Sequence, residues 1–151
     1  MLKIVRRKLQ SFKSLSRDLK VASIFILLTI PLIELSLRSL GFNQTFQFVQ
    51  RYRIIPKNFT KLNRDEHVTK ISMHFSSLVQ YGRFSGRCLS QSLALWWWLH
   101  HLEIPSVVRF GHRVVSNDLM GHAWVEIEGT PLNEKSNISL KFMPFSKGII
   151  H

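Results

Sequence analysis

Cys88-Leu89-Ser90-Gln91-Ser92-Leu93-Ala94-Leu95-Trp96-Trp97-Trp98-Leu99-His100-His101-Leu102 is the stretch whose reading decides the fold. As a helix it carries apolar residues around most of its circumference, so it is predicted to be a central helix packed on several sides. Gly82-Arg83-Phe84-Ser85-Gly86-Arg87 breaks the chain before it, and Ser85 is placed to cap it, which puts Cys88 in the first turn. Ile104-Pro105 ends the unit. Beyond it, Ser106–Val115 reads as a strand, Ser116-Asn117-Asp118 as a turn, and Met120–Glu128 alternates as a second strand. Gly129 marks another turn, from which Thr130–Glu134 returns as a third strand. A central helix against a small antiparallel sheet makes an α+β fold.

Upstream, Val68, Ile71, Phe75, Leu78 and Val79 recur at helical steps, predicting a helix over His67–Tyr81 with one buried face. Pro56 and the polar stretch Lys57–Asp65 read as a linker. The chain therefore divides into an N-terminal helical segment, 1–66, and a core, 67–151. Leu15–Tyr52 reads as two or three packed helices with a break at Gly41. The apolar run Val21–Ile33 carries Pro31 and falls short of the ~20 residues that span a bilayer. Burial in a core is the favoured reading, with peripheral membrane contact through the basic face as the alternative.

The 151 residues carry 21 Lys+Arg against 9 Asp+Glu, a net charge of +12. Apolar residues make up 45%, with eleven Phe and four Trp, which excludes a disordered basic tail. One cysteine excludes an intramolecular disulfide and a zinc site of several thiolates, and no cofactor or metal is expected. The cations crowd the N-terminus: Lys3, Arg6, Arg7, Lys8, Lys13, Arg17 and Lys20, opposed by Asp18. Without interleaved aromatics or a groove-binding motif they do not indicate a nucleic-acid partner.

A helix N-terminus favours thiolate over thiol, and its free N–H groups can hold an oxyanion, so Cys88 is the candidate nucleophile. His122, on the second strand, is the candidate base. Register decides the third member. A three-residue loop Ile127–Gly129 places Glu134 opposite His122; a two-residue turn Glu128-Gly129 flips Glu134 away and leaves Asn133 nearest, on the diagonal. Glu134 is preferred because a carboxylate also stabilises imidazolium. His112 and Asp118 are weaker candidates for base and acid. His100 and His101 lie about three turns from Cys88, too far to serve. Trp96, Trp97 and Trp98 point about 100° apart and read as packing. Trp124 is expected to shield the site, and Glu126 to be structural.

Three blocks carry a resemblance. They are Cys88-Leu89-x-x-Ser92-Leu93-Ala94-Leu95, then Leu102-Glu103-Ile104-Pro105-x-Val107-Val108-Arg109-Phe110-Gly111-His112-Arg113, and Gly121-His122-Ala123-Trp124-Val125-Glu126-x-x-Gly129. In that order they resemble the leader peptidases of lasso-peptide biosynthesis, the B proteins, whose core is transglutaminase-like. The resemblance implies a transglutaminase-like, broadly papain-like cysteine peptidase with Cys88 as nucleophile and His122 as base. The family's acid, usually aspartate, falls on Glu134. It further implies a ribosomal precursor peptide as substrate, a separate leader-recognition protein and a lasso cyclase as partners, and a cytoplasmic location. The first 66 residues read as helical, unlike the strand-rich recognition domain, so the chain is expected to be the stand-alone peptidase. The same three residues would serve a transglutaminase-like acyltransferase, and a non-catalytic membrane-associated binding module is the remaining alternative.

Overall fold

The computed structural model describes residues 16–52, 88–134 and 137–150, together with Val68, Lys70 and Phe75. The expected linker, most of the helix His67–Tyr81, the capping Ser85 and the cations up to Lys13 lie outside the described residues.

Helix α1, Arg17–Ser39, opens where the Ser16 hydroxyl accepts the Leu19 N–H at 3.4 Å. The helix does not end with the apolar run Val21–Ile33 but continues through Pro31 and Glu34 to Ser39. Proline removes one intrahelical donor, and Glu34 is neutralised on the helix surface by Arg38 at 3.0 Å, so neither residue stops the helix. Leu19–Ser39, 21 residues, is consequently long and apolar enough to cross a membrane by length and composition. Helix α2, Gly41–Arg51, follows after Leu40, with Gly41 at φ +80° making the expected break. A hydroxyl pair, Ser36 with Thr45 at 2.8 Å, ties the two helices together.

Helix α3, Cys88–His101, is the centre of the fold, and every residue from Ser90 to Leu99 is buried. All three consecutive tryptophans are covered, because the helix has neighbours on each side. Phe25 of α1 packs against Trp97 and Trp98, and Phe46 of α2 against Trp96. The indole N–H of Trp97 donates to the Tyr52 carbonyl at 2.8 Å, and that of Trp96 to the Ser106 carbonyl at 3.2 Å.

The sheet is antiparallel, in the order β3-β2-β1-β4, from β1 Val107–Val115, β2 Asp118–Ile127, β3 Thr130–Pro131 and β4 Met143–Ile150. Two expectations need correction. The first hairpin turns on Ser116 and Asn117 alone, both at positive φ, so Asp118 belongs to β2 and pairs with Val115. The second turns on Glu128 and Gly129, at φ 49° and 78°, pairing Ile127 with Thr130 and Glu126 with Pro131. The three-residue loop Ile127–Gly129 is not formed, and β3 is two residues long rather than running to Glu134. The short helix α4, Ile138–Lys141, and strand β4 were not anticipated.

Alternation of side chains across the sheet creates two cores. Val108 and Val125 join α1, α2 and α3 in the main one, with Phe75. Trp124, on the other face of β2, is buried with Ile138 and Phe142.

Candidate active site

Cys88 is the first described residue of α3, and the main-chain N–H of its neighbour Leu89 turns to the thiol. Its side chain hydrogen-bonds to the His122 ring. That contact holds the thiol below its ordinary value of 9.0 against the opposing effect of burial, with help from the main-chain N–H groups of Ala123 and Leu89. His122 bonds on its other side: Nε2 lies 2.8 Å from Glu134 Oε1, which leaves Nδ1 for the sulfur. The sulfur first, and the carboxylate second, raise His122 from 6.5 to about 9, again against burial. The ring is thereby favoured as an imidazolium donating from both nitrogens, and Cys88 is biased towards the thiolate that pairs with it.

The three residues singled out from the sequence thus meet, although the register used to choose Glu134 is not the one formed. The pairing seen is the two-residue-turn register, in which a continued strand would point Glu134 away from His122. It reaches the ring because β3 ends at Pro131 and residues 132–134 bend, so strand parity no longer governs them. Asn133, the alternative, has another task. Its Oδ1 accepts the Val125 N–H at 2.8 Å, and its Nδ2 donates to Ser92 Oγ at 3.3 Å. Ser92 Oγ donates in turn to the Ala123 carbonyl at 2.9 Å. Asn133 therefore sews β2 to α3 and fixes the spacing of nucleophile and base.

Other expected residues fall where they were placed. The Trp124 indole is fully buried and stacked on His122 at 6.2 Å. Its N–H donates to Glu126 Oε1 at 2.7 Å, while Glu126 Oε2 accepts from Arg109 Nε at 2.8 Å. Gly111, opposite His122, makes room for that indole: a Cβ there would stand 2.9 Å from Trp124 Cη2 and 3.0 Å from the Met143 carbonyl. His112 stacks on Phe145, and Asp118 sits at the exposed hairpin end. His100 stacks on Trp96 and His101 meets the Trp97 carbonyl, both at the far end of α3. Phe142 is the residue that sequence reasoning missed. It stacks on the imidazole at 4.8 Å and carries the Arg113 guanidinium 4.8 Å above its own ring. It follows a four-residue helix too short to leave a periodic signal.

The roles of the two neighbours are separable by experiment. Glu134→Gln is expected to slow turnover about 100-fold and to move the basic limb of the pH profile below pH 9. Asn133→Ala should lower the melting temperature while leaving that limb in place; a shift of the limb by Asn133→Ala would reverse the assignments.

Among the described residues no group of three His, Cys, Asp or Glu is arranged to hold a metal ion. A thiolate on α3, an imidazolium on β2 and a carboxylate behind it can attack a carbonyl carbon and protonate the departing amine. Neither the curated proteins nor the solved structures yield a match to this chain. A family model does match, over residues 33–147, from within α1 through all three site residues into β4; by that match the chain belongs to the transglutaminase-like superfamily.

Proposed function

We propose that the chain is a cysteine peptidase that removes the leader from a ribosomally made precursor during lasso-peptide maturation, in the cytoplasm, beside a separate leader-recognition protein and a cyclase. Superfamily membership supports the coarser reading, a cysteine peptidase or acyltransferase. The sequence blocks around Cys88, Arg109 and His122 support the finer one. The division of the chain at residues 66 and 67 belongs to the same proposal.

The observation that carries peptide hydrolysis is the edge of β2 beside the nucleophile, which no described strand pairs beyond Glu126. The Val125 N–H and carbonyl point away from β1, to Asn133 Oδ1 and the Leu132 N–H at 2.8 and 2.9 Å. Every second residue of a strand points its main chain the same way, so Ala123, Gly121 and Leu119 share that direction. Ala123 is occupied by Cys88 and Ser92. Gly121 and Leu119 are exposed, and β3 pairs β2 only at Glu126 and Ile127. An extended peptide can add there as a strand and run past the sulfur.

In the reaction, the Cys88 thiolate attacks the scissile carbonyl carbon, with the oxyanion facing the first-turn N–H groups. The C–N bond breaks as His122 Nδ1–H gives its proton to the leaving amine, forming a thioester. Neutral His122 then takes a proton from water, whose oxygen attacks the thioester, and the ion pair returns as the acid leaves. The sign of the pH dependence follows. Cleavage rises as Cys88 ionises, below the ordinary thiol range, and falls above about pH 9 as the imidazolium is lost. Alkylation by iodoacetamide needs only the thiolate, so it should not fall there. A cleavage rate that stays level through pH 10 would remove His122 as the acid.

The decisive test is mass spectrometry of precursor peptide incubated with the chain and the recognition protein. Leader and core fragments whose masses together equal the precursor plus one water support the proposal. Incorporation of an added amine assigns an acyltransferase, and thiol reactivity no greater than free cysteine assigns a binding module.

A further inference from the structure

Helix α1 is apolar on its outward face as well as its inward one, which a helix bathed in water is not. Its inward face holds Ala22, Ile26, Ile30 and Ile33 in the main core, but also Ser23 and Thr29, both buried. Their hydroxyls bond back to the Leu19 and Phe25 carbonyls at 2.6 and 2.8 Å, which is how a helix hides polar groups. The outward face runs Ile24, Leu27, Leu28, Pro31, Leu32 and Leu35, all exposed, with Leu28, Leu32 and Leu35 at 60%, 62% and 63%. Those positions follow the helical repeat for about 16 Å without one polar side chain. Surface helices of soluble proteins present the opposite pattern, and contiguous apolar patches mark an interaction surface.

Charge says what covers it. Arg17, exposed, stands at one end of the stripe, and Lys3, Arg6, Arg7, Lys8 and Lys13 precede it in the chain, while Arg38 at the other end is paired with Glu34. A second copy brought face to face would set these cations, on a chain of net charge +12, against their own kind. An anionic lipid surface would attract them.

We propose that α1 lies in the plane of an anionic membrane, with the Ile24–Leu35 stripe sunk into the acyl boundary and Arg17 at the level of the headgroups. The helix lies on the bilayer rather than crossing it, because its other face is committed to α3: Phe25 alone meets Trp97 and Trp98 at 5.3 and 5.1 Å.

The test is flotation of the full chain with phosphatidylcholine vesicles, with and without phosphatidylglycerol. Association should require the anionic lipid and weaken with salt. Leu28→Glu/Leu32→Glu should cut it at least about tenfold, since burying two leucines supplies much of the binding. Both positions face outward, so thermal unfolding and Cys88 alkylation should be unchanged, which separates lost binding from lost fold. Arg6→Gln/Arg7→Gln/Lys8→Gln should remove the lipid-charge dependence independently of the stripe. No association with either vesicle overturns the proposal. So does a lipid-free dimer that Leu28→Glu/Leu32→Glu dissociates, which would assign the stripe to a second copy. Resistance of the bound chain to alkaline carbonate overturns the in-plane geometry.

Discussion

Cys88→Ala is expected to lower precursor cleavage about 10⁴-fold or more while the melting temperature stays within a few degrees of wild type. The size follows from chemistry. Without the sulfur no thioester forms, and His122 loses the group that contributes most to its raised pKa. The variant's His122 should therefore titrate well below 9, which NMR of the ring would read directly. The small effect on folding follows from position. Cys88 is only partly buried at the end of α3, and the helix is held by residues from Ser90 onward. Cleavage that survives in Cys88→Ala would sink the nucleophile assignment.

Trp124→Ala should have the largest effect on stability, about 3–5 kcal/mol, as for other fully buried aromatics cut to alanine. Three losses coincide. The indole fills a second core of few members, with Ile138 and Phe142. Its N–H is the partner of Glu126 Oε1, so truncation leaves a carboxylate oxygen buried at 7% residue exposure with Arg109 holding only the other one. It also stacks on His122, so the ring gains freedom and turnover drops with stability. Gly111→Val attacks the same packing from the opposite strand, because its side chain would enter the space the indole occupies. Chemical denaturation measures both variants. Wild-type stability for Trp124→Ala would show that the second core is loosely packed.

The central helix and the hairpin were legible because their patterns are long. The unbroken apolar run Leu93–Leu99 has few folds in which to hide, and the β-rich run Ala123–Ile127, buried from Ala123 to Glu126, marks a strand covered on both faces. The meeting of Cys88 with His122 followed from those two elements. Glu134 was reached through a mistaken register: side-chain type favoured a carboxylate, while parity failed once β3 stopped after two residues. Propensity cannot see where a strand stops pairing. Phe142 was invisible for a related reason, since its place over His122 depends on a four-residue helix and a strand that pairs with β1 from far along the chain. The reversed face of α1 was half-read. Its apolar content was plain, but which side met the core depended on where α3 lay.

Cys88 is the chain's only thiol, and that has a consequence for oxidative inactivation. A thiolate held below the ordinary range reacts readily with peroxide, passing to sulfenic acid. Enzymes with a second, resolving cysteine trap that state as an internal disulfide; here the return route is an external small thiol, and without one the sulfur proceeds to the irreversible sulfinic acid. A thiol reagent that labels the protein therefore counts its intact Cys88 side chains one for one.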